Sequence, residues 1–254
     1  MSIPMDYDGE AMRGLFRAAY SHALPVYFGI APARRRAGEP ATLYNGSATI
    51  LQLPAALIAV TCAHVIEGFR EAFRKDSRVH FQLGTCPVSI LDMIIAEDAS
   101  LDLATIDLSA LSSLGSLSER DEDIPLTALV PGTWPPAAVS RGERLIVSGF
   151  PGAGWRSEAP DGIVDAPALT IGAIACDVDN DGVVIEITRD RWLSEEFQEV
   201  PDTVRNVDLG GLSGCPVFAV RSSLEFVGVV AMSTGADVVR VRSSRFINAH
   251  GLLG

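Results

Sequence analysis

Residues 207–220 read VDLGGLSGCPVFAV, and the reading of this stretch decides the fold. Ser213 sits among Gly210, Gly211 and Gly214, directly before Pro216 and an apolar run. Glycine supplies backbone conformations that a Cβ forbids, so the stretch is either a structural turn or a loop shaped around a nucleophile. A serine hydroxyl is a weak nucleophile at neutral pH. Catalysis needs a base within hydrogen-bond reach and a group that orients that base.

The chain has four histidines: His22, His64, His80 and His250. His64 stands in LIAVTCAHVIEG, where an apolar strand ends, small residues follow and a helical turn begins. His80 alternates with Val79 and Phe81 on an expected strand, and His22 and His250 lie near the chain ends. Asp102, in ASLDLATIDL, is flanked by Leu101 and Leu103 on another expected strand. Burying such a carboxylate is costly unless donors reach it, and an imidazole N–H is a donor. In GGLSG the N–H groups of Gly211 and Ser213 are the natural pair to converge on a developing oxyanion.

Taken in order, TCAHV, DLATI and GGLSGCPVF resemble the His, Asp and Ser signatures of chymotrypsin-fold, trypsin-like serine proteases. NGSATILQL resembles the strand leading to the base, GERLIVSGFPGAG the opening of a second barrel, and ALTIGAI the hairpin after it. EFVGVVAMSTG resembles the strand that pairs with bound substrate, so the likeness covers about residues 41–245. It implies an all-β fold of two antiparallel six-stranded barrels, with the site in the cleft between them. It also implies a serine endopeptidase acting on a protein or peptide through His64, Asp102, Ser213 and the Gly211 N–H, with no metal or organic cofactor. The chain departs from the family in three places. Leu212 replaces an acidic residue used in zymogen activation, Cys215 stands where glycine is usual, and the disulfide beside the histidine is absent. The base of the family's specificity pocket falls near Val207, favouring apolar side chains, or one residue on at Asp208, favouring Arg or Lys.

The remaining pattern agrees with a β-rich architecture. Met12, Leu15, Phe16, Ala19 and Tyr20 predict one helix over residues 8–22, within an N-terminal extension spanning 1–40. That extension covers the barrel or contacts a partner that regulates access. Short runs rich in β-branched residues, among them SATILQL, RVHFQLG, SILDMIIA and DLATIDL, predict a first barrel over 41–120. A linker over 121–140 and a second barrel over 141–254 follow. Apolar residues make up 48% of the chain, charged residues 20%, and the net charge is −12, which excludes nucleic acid and acidic membranes as general partners. Scattered cysteines and an N-terminus without an export signal point to a cytoplasmic protein.

DVDNDG, residues 177–182, matches the start of a calcium loop, but its twelfth position is Thr188, so a hairpin turn is expected. An α/β-hydrolase elbow requires glycine where Cys215 stands. The rival of a different class is a catalytically silent, protease-like binding or scaffolding module. Cys62 and Cys215, each two residues from a proposed catalytic residue, are small core fillers or an oxidation-sensitive pair.

Overall fold

The computed structural model describes residues 10–39, 43–111, 113–117, 124–136, 138–151, 157–158, 164–165, 168–187, 193–194, 209–233 and 238–254. Helix α1 (Glu10–Tyr20) forms where the apolar spacing predicts it, burying Met12, Phe16, Ala19 and Tyr20. The first sheet then uses β1 (Ala23–Gly29), β2 (Leu43–Gln52) and β3 (Leu57–Thr61) before helix α2 (Ala63–Lys75). After α2 come β4 (His80–Leu83), β5 (Cys86–Val88), helix α3 (Ile90–Met93), β6 (Ile94–Asp98) and β7 (Leu103–Asp107). These seven strands lie in the order β5-β4-β1-β2-β3-β7-β6, all antiparallel. Strand β1 lies ahead of the boundary expected at 41, and it is central to the sheet, between β2 and β4.

The second sheet is built from β8 (Arg144–Gly149), β11 (Leu169–Val178), β12 (Gly182–Ile187), β14 (Pro216–Val220), β15 (Leu224–Ser233) and β16 (Val238–Ser243). Two-residue strands β9 (Ser157–Glu158) and β10 (Val164–Asp165) pair with each other, and β13 (Leu193–Ser194) adds to β11. The order β12-β16-β15-β14-β8-β11 returns on itself, because β11 also pairs with β12. Six strands therefore close into a barrel, which removes every open edge among them.

The expectation of two closed barrels needs correction. The first sheet curls into a half-barrel, and among the described residues no ladder joins β5 to β6. Where the closing pair would run, the chain coils into α3, and Ile90 enters the core beneath the sheet. SILDMIIA, expected as one strand, is thus split between α3 and β6.

Three large apolar cores hold this together. One fills the closed barrel, with Val147, Ile171, Ile185, Val217, Val239 and Val241 at its centre. Another lies in the half-barrel, where Val65, Ile66 and Phe69 of α2 meet Phe28 and Phe81. The third lies between the sheets and is capped by α1: Met12 and Phe16 pack with Ile58 and Val60 from the first sheet and Ile146 and Phe218 from the second. Helix α1 therefore covers the seam, its apolar face used internally. Parts of the region between the sheets also grip the body. Leu129 bridges to Leu51, and the Trp134 indole N–H donates to Ile247 O at 2.8 Å. DVDNDG forms the β11–β12 hairpin turn, where the Asp179 carboxylate accepts the Asp181 and Gly182 N–H groups and pairs with Arg240 at 2.6 Å. Among the described residues no helix is long and apolar enough to cross a membrane.

Candidate active site

The site starts at the end of β3. Residues 57–61 pair with β2 and β7, and Cys62 then serves as the N-cap of α2 without offering a side-chain cap bond. The first N–H groups of a helix need acceptors, and a carboxylate there is favoured by the helix dipole. Asp102 provides one from outside the helix. Its Oδ1 accepts the His64 backbone N–H at 3.0 Å, while its oxygens lie 3.0 and 2.8 Å from His64 Nδ1. One carboxylate thus fixes both the helix start and the imidazole. The His64 side chain is 52% exposed and Asp102 24%, so the far side of the ring opens to solvent.

Asp102 does not lie on a strand, as the Leu–Asp–Leu pattern predicts. It ends the turn between β6 and β7 with φ +54°, the only non-glycine residue with positive φ among those described. Aspartate tolerates this left-handed conformation better than most residues. The same turn is held by Asp98, whose carboxylate accepts from Ser100 N, Ser100 Oγ and Leu101 N. Those bonds keep the Asp98 carboxyl below its ordinary range.

The serine loop is two consecutive β-turns, closed by Leu212 N–H to Leu209 O and by Cys215 N–H to Leu212 O. Gly211 and Gly214 take the third position of each, at φ +98° and +91°. That position in a type II turn requires positive φ. Space excludes a larger residue as well: a Cβ on Gly214 would stand 2.0 Å from Ser47 O, and one on Gly211 2.2 Å from Asn45 Nδ2.

Strand β2 holds this loop by its carbonyls. Ser47 Oγ donates to Gly211 O at 2.7 Å, Ser47 N to Ser213 O at 2.8 Å, and Thr49 Oγ1 to Gly214 O at 3.0 Å. Asn45 Nδ2 donates to Phe150 O at 3.2 Å, and Phe150 N to Ser47 Oγ at 3.1 Å. With its carbonyls engaged, the loop leaves the N–H groups of Gly211 and Ser213 without a partner among the described residues. Asn45, Ser47 and Thr49 were missed as site residues in the sequence. Their alternate spacing in NGSAT, three polar side chains on one face of a buried strand, is the signal that marks them.

Two routes connect the serine loop to the histidine. Ser47 O accepts the Thr61 hydroxyl at 2.8 Å, tying the strand before His64 to the residue bonded to Ser213. Val230 O accepts both the Gly214 N–H, at 2.7 Å, and the Cys62 thiol, at 3.1 Å. Ser213 Oγ makes no hydrogen bond to the imidazole in this structure. Base–nucleophile contacts are commonly loose in unliganded sites.

The other histidines lie elsewhere. His22 Nδ1 is 3.0 Å from Thr127 O and its ring lies against Phe218. His80 is half-buried, its pKa lowered mainly by burial, and His250 lies in the C-terminal turn. Cys62 and Cys215 are fully buried and free, and burial raises both thiols well above the ordinary range. An oxidation-prone pair needs accessible thiolates, and burial denies both sulfurs that access. Sγ of Cys62, a ring nitrogen of His64 and a carboxylate oxygen of Asp102 all lie within 4.8 Å of one another, a grouping of metal-ligating type. The candidate specificity residues Val207 and Asp208 lie outside the described residues. The chain has a β-barrel fold with a Cys–His–Asp grouping, and no protein-family model and no curated protein matches it.

Proposed function

We propose that this protein is a chymotrypsin-like serine endopeptidase. The observation that carries the reading is the Asp102 carboxylate, which grips both the backbone N–H and Nδ1 of His64, together with a serine loop whose Gly211 and Ser213 N–H groups have no partner among the described residues. Asp102 holds the imidazole with its proton on Nδ1, so Nε2 is the free base. On substrate binding, Nε2 takes the proton from Ser213 Oγ as that oxygen attacks the scissile carbonyl, and returns it to the leaving amine. The Gly211 and Ser213 N–H groups stabilise the oxyanion, and water then hydrolyses the acyl-enzyme. A peptide lying across the open face of His64, next to the serine loop, is the substrate class.

A fluorophosphonate probe tests the reading. Covalent labelling at Ser213, abolished in Ser213→Ala and His64→Ala, is the expected result. On a cleaved peptide substrate, Ser213→Ala lowers turnover by about 10⁴ to 10⁶. A folded protein that stays unlabelled would instead be the scaffolding module.

A further inference from the structure

We infer that Cys62, His64 and Asp102 form an inhibitory binding site for a thiophilic divalent cation, Zn²⁺ above all. The sulfur, imidazole nitrogen and carboxylate oxygen lie within 4.8 Å of one another, and the nitrogen–oxygen pair is already at 2.8 Å. Around tetrahedral Zn²⁺, with bonds of about 2.0 to 2.3 Å, ligand atoms stand roughly 3.3 to 3.8 Å apart. Shifts of about 1 Å therefore convert the present grouping into a three-ligand site. Thiolate, imidazole and carboxylate together select a borderline-soft ion over Mg²⁺ or Ca²⁺.

The position of each ligand supports capture. Cys62 is rigid, held at the N-cap of α2 with its sulfur fully buried against Val230 O. Asp102 keeps 24% of its side chain exposed, so a cation reaches the Nδ1 side of His64 past the carboxylate, where a water serves as fourth ligand. None of the peptidase steps proposed above uses Cys62, so its sulfur is an addition to the His–Asp pair.

The protons balance as follows. The Cys62 thiol releases one proton to solvent and its sulfur binds the metal. The His64 Nδ1 proton moves to Nε2, leaving Nδ1 to coordinate, and Asp102 remains a carboxylate. An imidazole carrying its proton on Nε2 cannot accept one from Ser213. Metal capture thus switches off the base by tautomer, without blocking the cleft. This consequence rests on the peptidase reading, whereas the metal site does not.

The test separates the two. Co²⁺, a spectroscopic stand-in for Zn²⁺, is titrated into the full chain while the near-ultraviolet sulfur-to-cobalt charge-transfer band is followed. A band saturating at one equivalent, displaced by Zn²⁺ and lost in both Cys62→Ala and His64→Ala, is the expected result. Fluorophosphonate labelling is then measured with increasing Zn²⁺, each protein referred to its own metal-free rate. Labelling of the unmodified protein falls and chelator restores it, while Cys62→Ala requires about tenfold more Zn²⁺ or beyond for the same loss. No band, or a band that survives Cys62→Ala, overturns the site. A band without any labelling in metal-free protein keeps the site and removes the peptidase reading. Equal Zn²⁺ sensitivity in the two proteins overturns the inhibitory role.

Discussion

At φ +54° Asp102 stands in a region that costs a non-glycine residue about 1 kcal/mol or more, and the turn around it is tied by Asp98 so that the carboxylate meets both His64 donors. Asp102→Asn should keep the backbone and replace one acceptor oxygen with a donor NH₂ group, favouring the wrong imidazole tautomer. Probe-labelling rates are expected to fall by about 10⁴, with thermal unfolding little changed. Ser47 is a second sensitive residue. Its hydroxyl donates to Gly211 O and accepts from Phe150 N, and it is fully buried. Ser47→Ala leaves both groups unsatisfied, so a loss of about 1 to 3 kcal/mol is expected in urea unfolding. A variant as stable as the parent would mean the loop finds other partners.

Among the elements, the segment after β1 and the end of α2 are joined by charge. Arg78 bonds Glu39 at 2.7 Å and Asp76 at 2.6 Å, and these contacts hold the Glu39 and Asp76 carboxyls down to about 2 from ordinary values of 4.5 and 3.8. Because the folded values are depressed, the contribution is present above pH 4.5 and is lost as pH falls toward 2. Both carboxylates keep contact with water, so the effect is modest. Glu39→Gln should flatten the acid limb of the stability profile across that window, as measured by urea midpoints at successive pH values. An unchanged slope would assign acid sensitivity to other carboxylates. Helix α1 works by packing instead: Phe16 sits 1% exposed in the core between the sheets. Phe16→Ala should cost about 3 to 5 kcal/mol and lower the thermal midpoint.

Across the whole molecule, the two sheets differ in closure. Every strand of the closed barrel has at least two neighbours, whereas among the described residues β5 and β6 each have one. Amide hydrogen exchange should therefore be slowest in β8 and β14 and fastest at β5 and β6, where local opening breaks few bonds. Protection at β5 and β6 as strong as in β8 and β14 would indicate a contact that joins the two edges in solution.

What the chain declares by itself is local. The 3.6-residue spacing of Met12, Phe16 and Ala19 specifies α1, and β-branched runs such as residues 145–147 specify strands, because both depend only on neighbours in sequence. Gly211 and Gly214 announced their turns, since only glycine meets both the positive φ and the missing space. The identity of the candidate residues was likewise legible, as few histidines and flanked carboxylates compete for the roles. Tertiary contacts decided the rest. ALPVYFG becomes a central strand only because β2 and β4 lie on either side of it. Asp102 leaves its expected strand because its carboxylate gains the α2 N-terminus, a partner 38 positions away in sequence. Ser47 matters only once Gly211 is folded against it, 164 positions distant. Whether a sheet closes depends on a pairing between its two ends, and no run of neighbouring residues encodes a contact made across a barrel.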